Sequence, residues 1–261
     1  MDILVCVKSV PDTSSEEVEV EPDGSDIVRD ELEEMVNEWD NYAVEEAIRI
    51  RDRVGGTVTV VTVGGEEADE VLRREIAMGA DRGVHLSDPA FEGSDGEGIA
   101  RILSAFVRLH PVDLVLTGAQ ADDGAAQVGG MLAALLDRPF ASLVTRVDVR
   151  DGHLMVEREV EGGCVEEVRI ALPCVLSIQT GINEPRYVGI RGLRKAGGID
   201  IPVLGADALG IDPARVGRAG ARVVVESFFL PARGAGAVFL EGTLEEQARR
   251  LVEMLKVRGG V

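Results

Sequence analysis

Aromatic residues are scarce in this chain: they make up 3% of it, with a single tryptophan. Its core must therefore be built from Val, Leu, Ile and Ala, and 45% hydrophobic content supplies enough of them. Positive charge is short as well. Lys and Arg number 27 against 47 Asp and Glu, a formal net charge of −20. That balance excludes a protein built to grip a phosphate backbone and disfavours an anionic membrane surface. It suits a salty or highly expressed cytoplasm, or a basic partner surface. Cysteine is limited to Cys6, Cys164 and Cys174, with no CxxC pair. Cys6 lies in an expected buried strand and reads as a reduced core thiol. His85, His110 and His153 are isolated, so no zinc-ligand spacing is present. No apolar run approaches the roughly 20 residues of a membrane span. Met1-Asp2-Ile3 starts a strand without a basic n-region, so no signal peptide is expected and a cytoplasmic setting is.

The usual signatures of chemistry are also missing. There is no GxSxG, no Cys and His close in sequence, no Walker lysine and no GxGxxG. The serine- and glycine-rich loop that ATP-pyrophosphatase-like domains place after their first strand is replaced here by KSVPDT. No catalytic side chain is therefore expected. Carboxylates are abundant, but they fall mostly on helix surfaces, where solubility accounts for them.

The most informative stretch is VDLVLTGAQADDGAAQVGGMLAALL, Val112 to Leu136. An apolar run to Leu116 predicts a buried parallel strand, Thr117 to Gly124 a turn, and the spacing from Ala125 a helix. Such a unit sets main-chain N–H groups and a helix N-terminus at the carboxyl edge of a sheet, where phosphate binds well. Gln120 and Gln127 could serve an adenine or ribose; Asp122 and Asp123 oppose a phosphate. Gly118 and Gly124 are expected to allow close backbone approach with positive φ.

Earlier, strands are expected at Ile3 to Val7, Thr57 to Val63 and Gly83 to Leu86. Helices are expected from Asp40, as cap, to Asp52, over Ala68 to Met78 with Gly79 closing it, and over Ile99 to Leu109. Asp23-Gly24 predicts a small hairpin. Leu143 to Arg150 and His153 to Val160 alternate around Asp151-Gly152, which predicts another. Val165 to Ala171 continues it, and Pro173 opens a further apolar run. Gln179 to Pro202 reads as a surface segment, with Arg186, Arg191, Arg194 and Lys195 clustered in an otherwise acidic chain. It serves either as a solvated linker or as a docking arm. Arg222 to Leu230 suggests an extended arm. Gly242 to Val257 predicts an amphipathic helix capped by Thr243. The fold expected is α/β: a Rossmann-like, doubly wound, mainly parallel sheet with an antiparallel extension, then a C-terminal arm and helix. Residues 1–202 would form the nucleotide-binding part and 203–261 the arm.

Several ordered segments resemble the beta subunit of electron-transfer flavoproteins. They are ILVCVKSVPDT at Ile3, NEWDNYAVEEA at Asn37, LRREIAMGADRGVHLSD at Leu72, LTGAQADDGAAQVGGMLA at Leu116, VEREVEGGCVEEVRIALPCVLS at Val156 and NEPRY at Asn183. The resemblance implies a heterodimer whose alpha subunit holds most of the FAD. The beta subunit binds AMP in the ordinary type. In the electron-bifurcating type, where NADH delivers hydride, it binds a second FAD. By matching position the nucleotide site comprises Cys6, Asn37, Glu38, Trp39, Asp40, Val63 and the run Gly118, Ala119, Gln120, Ala121, Asp122, Asp123, Gly124, Ala125, Ala126, Gln127 and Val128. Trp39 matches an aromatic position near the flavin. Ile190, with Arg191 and Leu193, matches the loop that docks flavin dehydrogenases or an electron-transfer flavoprotein oxidoreductase; Ile190 would be its apolar anchor. GAQADDGAAQVG is one residue shorter than the bifurcating branch's GRQAIDGDTAQVG and has Ala125 for a threonine. The family's NPxD reads Asn37-Glu38-Trp39-Asp40. LSDPAFEGSD at Leu86 resembles the bifurcating branch. The alternative is a nucleotide-binding sensor or scaffold of the same fold without electron transfer.

Overall fold

A computed structural model describes residues 1–14, 18–29, 32–121, 123–232, 234 and 236–259. The chain divides into two units, Met1–Val18 with Val28–Glu226, and Glu19–Ile27 with Ser227–Val261.

In the first unit the elements follow in order as β1 (Asp2–Cys6), β2 (Ser9–Pro11), β3 (Glu34–Val36), α1 (Glu38–Val54), β4 (Thr57–Val63), α2 (Ala68–Met78), β5 (Arg82–Leu86), α3 (Gly96–Leu109), β6 (Leu114–Gly118) and α4 (Val128–Leu136). Next come β7 (Phe140–Arg150), β8 (His153–Val160), β9 (Cys164–Ala171), β10 (Cys174–Ile178), α5 (Ile190–Ala196), β11 (Val203–Leu204), α6 (Ala206–Leu209) and α7 (Gly217–Gly220). Strands β2 and β3 pair with each other. The others form one sheet in the order β11-β5-β4-β1-β6-β10-β7-β8-β9. It is parallel from β11 to β7 and antiparallel through β8 and β9. The expected doubly wound sheet with an antiparallel extension is what forms.

Side-chain alternation explains the layering. Ile3 and Val5, Val58 and Val60, Leu114 and Leu116 point to one face and pack with Val44, Ile48, Leu72 and Ile76 of α1 and α2. Leu4, Val61, Val115 and Val175 point to the other and pack with Ile102, Phe106 and Leu132 of α3 and α4. A strand covered on both faces must be apolar throughout, which is why its core strands read as continuous runs. The sheet's outer strands differ: β11 has two residues, while β9 exposes Glu166, Glu167 and Arg169.

The hairpin at Asp151-Gly152 forms, with Gly152 at φ 70. Gly79 ends α2, its N–H bonding to Glu75 and Ile76 carbonyls. Other boundaries shift. The strand placed at Val112 to Leu116 runs over Leu114–Gly118, and the helix placed from Ala125 begins at Val128. Helix α3 begins at Gly96 because the Asp95 side chain accepts from Gly98 N. The loose stretch after Pro202 contains β11, α6 and α7.

In the second unit Val20 and Ile27 bridge, as the Asp23-Gly24 hairpin requires, and Phe228 N donates to Gly24 O at 2.8 Å. Helix α8 (Leu244–Val257) carries a full capping box between Thr243 and Glu246. Its apolar residues Leu244, Leu251, Val252 and Leu255 are exposed. No described helix is long and apolar enough to cross a membrane.

Candidate functional site

Order reverses in the sheet between β1 and β6, since the chain builds outward from β1 to β4 and β5 and then returns to β1's other side. In open α/β sheets the crevice at the carboxyl ends of such a pair is the ligand site. Cys6, Val63 and Gly118 all sit there, at the ends of β1, β4 and β6. Helix α1 enters at the same edge, bringing Asn37, Glu38, Trp39 and Asp40.

Asp40 does not cap its helix. Asn37 holds the N-cap position, and Asp40 lies within the first turn. Its carboxylate accepts Lys8 N at 2.8 Å and Gly118 N at 2.9 Å, so one side chain joins the ends of β1 and β6. Burial pushes this acid up to about 7, against the Lys8 N–H, the Asn37 side chain, the Gly118 N–H and the Lys8 charge. Each hydrogen bond to a charged group contributes roughly 1.5–3 kcal/mol, enough to offset much of the burial cost. Burial, with Asp40 adding to it, also raises the Cys6 thiol.

Asn37 is buried. It donates to Lys8 O through its backbone and to Gln120 O through Nδ2, at 2.9 Å each. Its Oδ1 is buried without a partner. Gln120 thus serves the site through its carbonyl. Ala119 N donates to Ile178 O at 2.9 Å, and Gly124 N to Ala121 O at 3.0 Å, closing a turn. Residues 123–127 are exposed. Asp122 lies outside the described residues.

Gly118 and Gly124 do not adopt positive φ; Ala126 does, at 55. Gly118 is required for space instead. A Cβ there would strike Asp40 Oδ1 and come within 2.7 Å of Trp39 Cβ. Gly129 is equally confined: a Cβ would lie 2.9 Å from Thr117 Oγ1, which shares a 3.0 Å hydrogen bond with Ser177 Oγ. Gln127 precedes α4 without a side-chain cap, leaving the first N–H groups of that helix open to an anion.

Sequence reasoning missed Lys8, Gln179 and Glu75. Lys8 follows β1 after Val7, a position that could have flagged it; its ammonium pairs with Asp123. Gln179 follows β10, accepts Trp39 Nε1 at 3.1 Å and donates to Glu159 at 2.9 Å. Trp39 is therefore a tethered, half-buried ring at the mouth of the crevice. Glu75 of α2 is fully buried with neither oxygen partnered. Burial and the Asp40 charge push it up to about 8 against Arg74. Its spacing from Ala68, Val71 and Leu72 puts it on the buried stripe of α2, the signal that could have found it.

Ile190, Arg191 and Leu193 lie together on α5, away from the crevice residues in sequence, with Ile190 71% and Leu193 49% exposed. Tyr187 beside them is 94% exposed. Among the described residues no group of three or more His, Cys, Asp or Glu could hold a metal ion.

The crevice thus brings together the uncapped N–H groups at the start of α4, an aromatic ring and small residues. That donor set fits an adenine nucleotide. Residues 25–209 match the electron transfer flavoprotein domain. The chain is 36% identical over 260 residues to an electron transfer flavoprotein subunit beta of Methylophilus methylotrophus, covering 98% of each. It is 38% identical over 261 residues to one of Thermoanaerobacterium thermosaccharolyticum, covering 99% of each. It is also 38% identical over 260 residues to the caffeyl-CoA reductase-Etf complex subunit CarD of Acetobacterium woodii, covering 98% of each.

Proposed function

The chain belongs to the electron transfer flavoprotein family, as a beta-type subunit, and from that membership we propose that its crevice holds the AMP portion of a nucleotide inside a flavin-bearing heterodimer. AMP is a free ligand in one case and half of a second FAD in the other, so the same pocket chemistry serves both. The observation that carries the reading is the convergence of Asn37, Asp40 and Gly118 at the switch between β1 and β6. Asp40 already occupies the Lys8 and Gly118 N–H groups. The phosphate would therefore lie at the uncapped start of α4.

FAD would supply the redox chemistry, mainly on the alpha subunit. This chain's residues bind, orient and exclude water: Trp39 would cover a ring face, and Asp40 holds the ends of β1 and β6 together beneath it. Ile190, Arg191 and Leu193 would dock the flavin dehydrogenase or oxidoreductase that exchanges electrons with the complex. The exposed apolar face of α8, with the arm before it, would pack on the alpha subunit.

The test is to purify the chain with its alpha partner and extract the bound ligands. A yellow complex with one FAD and one AMP per heterodimer indicates simple transfer. More than one FAD without AMP indicates the bifurcating type, with NADH as donor. Nucleotide in a complex that transfers no electrons identifies the sensor or scaffold. A colourless chain that ignores the alpha subunit sinks the proposal.

A further inference from the structure

We propose that Arg186 and Glu45 form a positioning clamp that fixes the docking arm, 187–195, to helix α1; the inference rests on the docking reading of Ile190. An arm that displays Tyr187, Ile190 and Leu193 to solvent has little burial of its own to hold it, with Val188 only partly buried against the core and Ala196 buried just past its end. Something else must set its position, and the residues on either side do so.

On the N-terminal side lies NEPRY. Arg186 forks onto Glu45, with Nε to Oε2 at 2.7 Å and the second guanidinium nitrogen to Oε1 at 3.1 Å. Its backbone N–H adds a third bond to Oε2 at 3.3 Å. Glu45 is 3% exposed while the Arg186 side chain is 39% exposed, so the fork reaches from the surface onto a buried acid. Burial raises Glu45, but hydrogen bonds from Arg186 and Arg49 bring it below its ordinary value and keep it charged. Arg49 also donates to Glu184 O at 3.3 Å. Asn183 Nδ2 donates to Tyr42 O at 3.0 Å and Glu46 Oε2 at 3.3 Å. Every one of these partners is on α1.

On the C-terminal side the arm is held to α2. Gly192 lies so close to Ala77 O that a Cβ would collide with it. Arg73 donates to Ala196 O at 3.2 Å and to Ile199 O at 3.4 Å. The arm is therefore a short span pinned at both ends, and the Arg186 fork is its strongest polar attachment on the α1 side. An apolar anchor presented in one place loses less freedom on docking than a floppy one. Arg186 need never touch the partner to govern its affinity.

The test compares Arg186→Met, Arg186→Lys and Ile190→Asp in the intact heterodimer. Three quantities are read: flavin per heterodimer, tryptic cleavage after Arg191, Arg194 and Lys195, and KM and kcat with the dehydrogenase that reduces the native complex. For Arg186→Met, losing a charge-assisted fork should raise the partner KM and the arm cleavage rate each by roughly tenfold. Flavin content should stay native and kcat should be nearly unchanged. Arg186→Lys keeps the charge without the fork and should fall between. Adding Ile190→Asp to Arg186→Met should give less than the product of the two effects, since both act through one arm.

If Ile190→Asp raises KM while Arg186→Met changes neither KM nor cleavage, docking stands and the clamp is wrong. Should neither variant move KM, the docking reading fails, and unaccelerated cleavage in Arg186→Met then overturns the clamp by itself. Loss of flavin from Arg186→Met would show a structural role and overturn the positioning role.

Discussion

Two carboxylates on one helix do opposite work. Asp40, in the first turn of α1, is buried against main-chain N–H groups of two strands and helps close a concave, small-residue crevice. Glu45, further along the same helix, is equally buried but grips an arginine whose neighbours stand in solvent. The first has no cationic fork and is pushed up to about 7; the second has two arginines and is held down. A buried acid that meets N–H dipoles can take up a proton near neutrality. One that meets guanidinium groups stays charged and serves as a fixed anchor. The crevice and the arm are thus specified by the company each carboxylate keeps.

The largest effect should come from the crevice. Gly118→Val must push Asp40 and Trp39 aside, because there is no room for a Cβ. Complete loss of nucleotide is expected, measured as ligand released from the purified heterodimer; native stoichiometry would mean the ligand lies elsewhere. Next comes Glu75, the acid with no hydrogen-bonding company at all. Its folded value of about 8 lies above the ordinary 4.5, so the folded chain retains a proton that the unfolded chain gives up. Stability is then full below the ordinary value and declines as pH rises toward 8. Glu75→Leu should flatten that decline and raise the melting temperature at pH 8 by roughly 5 °C or more, with little change at pH 4. An unaltered pH slope in thermal unfolding would remove the contrast between hydrogen-bonded and isolated acids. The smallest effect belongs to the arm. Ile190→Asp should leave flavin and melting temperature alone and raise the partner KM by about tenfold. Flavin loss in that variant would merge the arm with the crevice and end the comparison.

Much of this was legible in the residues. Apolar runs at β1 and β6 announced a sheet covered on both faces, and Asp151-Gly152 announced the antiparallel turn-back. The segments quoted for family likeness led to the correct family. What could not be read was pairing across long separations. Asp40 looked like a helix cap because Asp often is one; its true partners are 32 and 78 residues away. Gly118 was expected to serve both close approach and positive φ; it has no positive φ, and the room it leaves is taken by α1, which enters against it. Glu75 shares the helical stripe of Ala68, Val71 and Leu72, but its charge made it read as one more surface carboxylate. Arg186 looked like one more surface cation until Glu45 was found beneath it.

The sheet's two outer strands bear on how this acidic protein behaves at high concentration. An unpaired strand edge is a template on which another chain can grow. Here one margin is cut to two residues, Val203–Leu204, and the other is studded with Glu166, Glu167 and Arg169. Neither offers a long, flat, neutral rail. Strand-to-strand polymerisation of copies is thereby frustrated at both ends, and legitimate companions are left to approach through side-chain surfaces.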